Sequence, residues 1–214
     1  VTSERAVISF ASGKQAKIKI QYSESKNFKK NKRYTKTIST DEESHYFAKI
    51  QLESLKPNQT YYYRFNINGR LKKDQIGKFK THSGKPFSYK VTMATCATTG
   101  SNNPVFDRIR EENSQFYLML GDFHYGDIRR DCEDNFLAYF RATLGSKKQA
   151  RLYNNVSIAY MWDDHDYGPN NSAGISPNGY GRVACQSEAR KAYNNYFPHY
   201  PLDFQENGKV ISQV

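Results

Sequence analysis

Three short segments of this 214-residue chain carry side chains able to hold a cation. Cys96 stands in ATCATTG. Asp122 opens GDFHYGD and is followed by Tyr125 and Asp127. The run WDDHD contains Asp163, Asp164, His165 and Asp166, with Asn170 and Asn171 soon after. Carboxylates, a phenol, a thiol and an imidazole form a hard, anionic donor set. Four ionisable side chains in a row would be costly in a dry site unless a cation neutralised them. Each piece alone is ordinary. GD is a common strand-to-turn signal, a lone Cys is most often a buried thiol, and an acidic run is usually a solvated loop. What sets these apart is that an apolar segment leads straight into each one: VTMAT, FYLML and SIAYMW. The chemistry that suits such a set is metal-ion catalysis.

Those apolar segments read as strands over Tyr89–Thr95, Phe116–Leu120 and Ser157–Trp162. FYLML is continuous, as expected of a strand buried on both faces. Val105–Glu112 after Pro104, Phe136–Leu144 and Ser187–Tyr196 read as helices. Strands alternating with helices imply a layered α/β sheet, in which ligands gather beyond the carboxyl ends of the strands. The stretch from Asp163 to roughly Cys185 has no periodicity and is rich in Gly, Asn, Ser and Pro; long loops of this kind are often functional.

The first 80 or so residues follow a different rule. Ala16, Ile18, Ile20 and Tyr22 alternate with polar residues, as do Tyr46, Ala48, Ile50 and Leu52, and Tyr61, Tyr63, Phe65 and Ile67. Period-2 alternation between turn-rich stretches predicts half-buried antiparallel strands and a β-sandwich. The run LESLKPNQTYYYRFNING resembles the penultimate-strand region of fibronectin type III-like modules, with its tyrosines in the core. His82–Pro86 reads as a linker. The expected division is a sandwich over 1–84 and an α/β domain over 85–214.

Charge divides the same way. The net +11 is +12 over residues 1–85 (19 Lys and Arg against 7 Asp and Glu) and −1 over the rest (13 against 14). Lys26, Lys29, Lys30, Lys32, Arg33 and Lys36 crowd one stretch, which reads as a solvated basic loop or as a patch for an anionic polymer or surface. Cys96, Cys132 and Cys185 show no CxxC spacing, which excludes zinc-ribbon and thioredoxin motifs. No apolar run approaches the roughly 20 residues that a membrane-crossing helix needs.

GDFHY is similar to the GDxxY segment of metallophosphoesterases, WDDHDYGPNN resembles the PhoD-like version of their GNH[ED] segment, and ATC resembles the first PhoD-like segment. With the preceding sandwich, the order of motifs resembles the PhoD-like alkaline phosphatase and phosphodiesterase family over essentially the whole chain. The resemblance implies an N-terminal β-sandwich followed by an αββα-type metallophosphoesterase domain. It implies Cys96, Asp122, Tyr125 and Asp164 as metal ligands, with Asp122 bridging two cations, and His165 as the catalytic general acid. Asp127, Asp166, Asn170 and Asn171 are placed near enough to support the ligands or touch substrate. The implied cofactor is Fe(III) with a divalent ion such as Ca²⁺, Zn²⁺ and Mn²⁺ being alternatives. The implied reaction is hydrolysis of phosphate monoesters or diesters by a metal-bound hydroxide.

Two further expectations follow from the resemblance. With Cys96 on a metal, Cys132 and Cys185 remain as an even pair, consistent with an exported protein and one disulfide. The family also draws ligands from a GHxH-like segment, and nothing after Tyr196 matches it. His199, between Pro198 and Tyr200, reads as a packing residue. The chain is therefore expected to hold the N-terminal half of the catalytic domain. The competing reading is a basic binding module for anionic polymers that carries an inactive metal domain.

Overall fold

The structure is a computed structural model that describes residues 1–173 and 185–200, with the backbone of two further strands, Leu202–Phe204 and Val210–Gln213. The first eight strands are β1 (Ala6–Ala11), β2 (Ala16–Ser23), β3 (Arg33–Tyr34), β4 (Ile38–Thr40), β5 (Phe47–Leu52), β6 (Thr60–Ile67), β7 (Arg70–Leu71) and β8 (Gly77–Lys80). β1 and β5 form one antiparallel pair. The others form a second antiparallel sheet in the order β3-β2-β6-β7, with β4 also on β2 and β8 on β6. The alternation seen in the sequence is what lets the two sheets face each other. Ile20, Ile50, Leu52, Tyr61 and Phe79 meet in one core. Tyr61 and Tyr63 are core residues, as their register predicts.

After residue 85 come β9 (Val91–Ala94), α1 (Val105–Glu111), β10 (Phe116–Met119), α2 (Cys132–Gly145), α3 (Lys147–Tyr153), β11 (Ser157–Tyr160), a single 3₁₀ turn over Asp164–Asp166, α4 (Gln186–Tyr196), β12 (Leu202–Phe204) and β13 (Val210–Gln213). β9, β10 and β11 form a parallel sheet with β10 in the centre; β12 and β13 pair as an antiparallel hairpin. The helices bury Phe106, Phe136, Phe140, Leu152 and Tyr196 in one cluster with Tyr117, Met119 and Tyr160 of the sheet.

The structure departs from the sequence expectations at several points. β10 is not equally buried on both faces: Tyr117 and Met119 are buried, whereas Phe116 and Leu118 are half-buried. Beside it Ala159 and Met161 are exposed. Helices pack on one face of this sheet; among the described residues, no second layer covers the other. α2 begins four residues before the expected Phe136 because its first turn is polar (Glu133, Asp134), where negative charge favours a helix N-terminus but breaks the apolar pattern. α3 is too short to show periodicity. On β5, Ile50 and Leu52 enter the sandwich core, but Phe47 points the other way and packs against Tyr196, with the tilted rings 4.4 Å apart. That strand therefore serves both cores. Ser9 Oγ donating to the Tyr196 carbonyl (2.8 Å) and the Lys78 N–H donating to the Asn154 carbonyl (2.8 Å) join the two halves further.

Candidate metal centre

The register of the parallel sheet explains how the three polar segments meet. Met119 pairs with Ala94 on one side and with Tyr160 on the other, so the three strands end level. Cys96, Asp122 and Asp164 follow two, three and four residues beyond those positions and must converge on one edge. Each turn leaves its strand sharply. Cys96 (φ 60°) and Asp122 (φ 54°) both adopt the left-handed region, which non-glycine residues occupy only when their surroundings hold them there. The Cys96 N–H donates to the Gly121 carbonyl (3.3 Å). Gly121 itself has φ +102°, and a Cβ there would fall 2.5 Å from the Cβ of Asp163. Only glycine lets the β10 turn lie this close to the β11 turn.

Two groupings share Asp122. In the first, the Cys96 thiol lies 3.5 Å from Asp122 Oδ2. The Tyr125 phenol is held well above its ordinary range by burial, then by hydrogen bonding to Cys96 and Asp122. In the second, Asp122, Asp164 and His165 each bring one ligand-capable atom within 4.8 Å of the others. Asp122 and His165 are buried, and both Asp122 Oδ1 and His165 Nδ1 lack a hydrogen-bond partner. Buried polar atoms are nearly always satisfied. An anionic set with an orphaned carboxylate oxygen and an orphaned imidazole nitrogen therefore fits a cation. Cys96 is exposed rather than a buried core thiol, and Tyr125, 37% exposed, is likewise not a core residue.

The neighbouring residues are placed as follows. Asp127 Oδ1 lies 3.4 Å from His165 Nδ1 and accepts the Asn170 N–H at 2.6 Å. Asn171 donates its backbone N–H to Asp164 Oδ2. Both Asn residues thus act here through the main chain. Asp166 is not grouped with the candidate ligands but buried beneath them, accepting N–H groups from Asp122, Phe123 and Asp163. Burial raises its carboxyl to about 6, against the opposing effect of those hydrogen bonds. His165, expected as a catalytic acid, stands inside the possible metal group with Asp122 and Asp164.

Sequence reasoning passes over His124, which looks like a spacer in GDFHY. It is fully buried, with its ring near Phe136, Tyr139 and Phe140 and neither nitrogen hydrogen-bonded. Burial, reinforced by His165, lowers its pKa to about 4. Nothing in the surrounding sequence distinguishes it from a spacer. Farther off, Cys132 and Cys185 are joined by a disulfide that ties the start of α2 to the residue preceding α4. His199 stacks on Tyr193 at 5.2 Å, well suited to a packing role, and also meets Lys49.

Comparison with known proteins bears on the fold. Residues 2–83 match the family model of the PhoD-like phosphatase N-terminal domain. The solved structure of PhoD superposes with a TM-score of 0.80 at 16% identity, over 98% of this chain and 46% of that one. Purple acid phosphatase PPD1 from yellow lupin (Lupinus luteus) seeds superposes with a TM-score of 0.56 at 15% identity, over 89% of this chain and 38% of that one. At such identities the likeness is one of fold. The search of curated proteins returned no match. The architecture is a β-sandwich joined to an α/β part, an arrangement shared with the PhoD and purple acid phosphatase structures. Residues 2–83 are a PhoD-like phosphatase N-terminal domain, and the chain spans about half the length of the PhoD structure whose fold it matches.

Proposed function

We propose that this chain supplies the sandwich and the first set of metal-holding residues of a phosphoesterase that hydrolyses phosphate monoesters or diesters. The observation that carries this reading is the convergence of three level strand ends on Asp122, whose buried Oδ1 lacks a partner. Cys96, Asp122 and Tyr125 would hold one cation, and Asp122 with Asp164 a second. Thiolate and phenolate suit Fe(III), and carboxylates suit a divalent ion such as Ca²⁺. When bound, the cations would neutralise phosphate charge and lower the pKa of water. His165, at the same edge with Asp127 Oδ1 3.4 Å from its Nδ1, would protonate the leaving alkoxide. The division near residue 84 and the fibronectin-like character of the sandwich belong to the same reading.

Export also belongs to it, because disulfides persist in oxidising compartments. No helix among the described residues is long and apolar enough to cross a membrane. Nothing in the geometry favours the anionic-polymer reading of the basic sandwich.

The test is mutational, with a chromogenic phosphomonoester and diester as substrates in the full-length protein. His165→Ala should lower kcat by on the order of 10²–10⁴ while metal content stays near normal. Asp122→Ala should instead strip the metal. Unchanged turnover in His165→Ala would remove the general-acid role, and normal metal content in Asp122→Ala would remove the site.

A further inference from the structure

We infer that Asp166 is a positioning residue whose carboxylate sets the spacing of the two ligand-bearing turns, and with it the affinity of the centre for metal. This rests on the metal-site reading above. Asp166 is 2% exposed. Its Oδ2 accepts the N–H of Asp122 and the N–H of Asp163, each at 2.8 Å, and its Oδ1 accepts the N–H of Phe123, also at 2.8 Å. Two of these donors lie in the turn after β10, which carries Asp122. The third opens the turn after β11, which carries Asp164 and His165. One side chain thereby fastens the two main chains that meet at the site, at the point where Gly121 permits their close approach.

The arrangement resists replacement by a neutral group of the same shape. Three N–H donors converge on two oxygens, and only a carboxylate offers acceptors on both. In Asp166→Asn the amide oxygen can serve one position, while the NH₂ group confronts a backbone N–H at the other. A buried donor then loses its partner, and the turns must separate to relieve it. The Asp163 carboxylate assists locally by accepting the Asp164 N–H at 2.9 Å, but it does not reach across to the β10 turn in the same way. Groups that support metal ligands in this indirect manner typically alter affinity by about 10- to 100-fold.

The experiment is titration of the metal-free full-length protein with Mn²⁺ alone, followed by electron paramagnetic resonance of the free ion, alongside amide hydrogen exchange. Asp166→Asn should bind Mn²⁺ about 10- to 100-fold more weakly than wild type. It should also lose exchange protection at Asp122, Phe123 and Asp163. Leu152→Ala, which lightens the same core away from the turns, should lower the melting temperature without changing Mn²⁺ affinity. Gly121→Ala keeps Asp166 but forces the turns apart, and should weaken binding in the same direction; it also provides the comparison if Asp166→Asn fails to fold. Wild-type Mn²⁺ affinity in a folded Asp166→Asn or Gly121→Ala protein would overturn the inference while leaving the metal site standing. Failure of wild type itself to bind Mn²⁺ would overturn the metal reading and this inference with it.

Discussion

The sandwich and the α/β half bury polar groups in opposite ways. Among the described residues, eight buried side-chain nitrogen and oxygen atoms lack a hydrogen bond, and all eight lie after residue 100, in Asp107, Arg110, Asp122, His124, Ser157, Tyr160 and His165. None lies in the sandwich. There the buried Gln21 accepts from Arg64 Nε at 2.7 Å, and the buried Thr81 hydroxyl donates to the Lys56 carbonyl at 2.6 Å. The backbone tells the same story. Left-handed residues of the sandwich such as Asn58 and Asn68 occupy turns, whereas Cys96 and Asp122 put the same conformation at strand ends that carry candidate ligands. One region satisfies its buried polar side chains internally. In the other, two of the eight unsatisfied atoms, Asp122 Oδ1 and His165 Nδ1, belong to residues of the candidate metal group.

That contrast can be tested by placing comparable damage on each side. Leu52→Ala empties a position 1% exposed in the sandwich core and should cost about 2–5 kcal/mol, read as a lower denaturant midpoint. Metal affinity of the protein that remains folded should not change. A change in affinity would mean that the sandwich shapes the site and that the two regions cannot be separated. Next in size is the Cys132–Cys185 disulfide, which closes a loop with a sequence separation of 53. Reducing it should cost about 2–4 kcal/mol. The loss should appear in the α/β half, with the sandwich strands keeping their exchange protection. In the denatured but unreduced protein both cysteines should resist thiol labelling; full labelling of either would remove the bridge from the comparison.

The sandwich was legible because its forces are local and periodic. Alternation in Ala16–Tyr22 and Tyr61–Ile67 reports which side chains face the core, and the structure follows it from Ala16 to Ile20 and at Tyr61 and Tyr63, whereas Gln21 is also buried and Phe65 and Ile67 are only half-buried. Phe47 was hidden because it obeys the same alternation from the opposite face and packs on Tyr196, far along the chain. At the site, the residue types and their positions after apolar strands were visible in Cys96, Asp122 and Asp164. Their roles were not, since a role depends on which atoms meet across strands. Asp166 looked like one more member of an acidic run, and only its three backbone bonds single it out as a brace. His124 gave no signal, because burial without a partner is a tertiary property. α3 was missed for a simpler reason: seven residues are fewer than two helical periods and a half.

Lys49 is where the sandwich departs from its own rule, and it gives the smallest of the expected effects. It lies on β5 facing away from Ile50 and Leu52, towards the α/β half. Its Nζ donates to the carbonyl of Asn194 and, at 2.7 Å, to His199 Nε2. His199 Nδ1 sits 2.6 Å from the Tyr200 carbonyl, so the ring proton belongs on Nδ1 and Nε2 is free to accept. Burial lowers the Lys49 pKa from 10.5 to about 7. Between those values the unfolded chain holds a proton that the folded chain has released. Unfolding then takes up a proton, and stability contributed at this position must rise with pH across the window. Lys49→Met keeps the length of the side chain and removes the titration. Relative to that variant, wild type should gain on the order of 1–3 kcal/mol between pH 7 and pH 10. A one-proton difference between the two states is worth about 1.4 kcal/mol for every step of one in pH, before solvent screening reduces it. Other lysines and tyrosines titrate equally in both proteins and cancel in the difference. Urea unfolding of the pair at several pH values gives that difference directly. A flat difference would mean that Lys49 stays charged at the end of α4, stabilised by the carbonyl groups there, and that the junction is as fully satisfied as the rest of the sandwich.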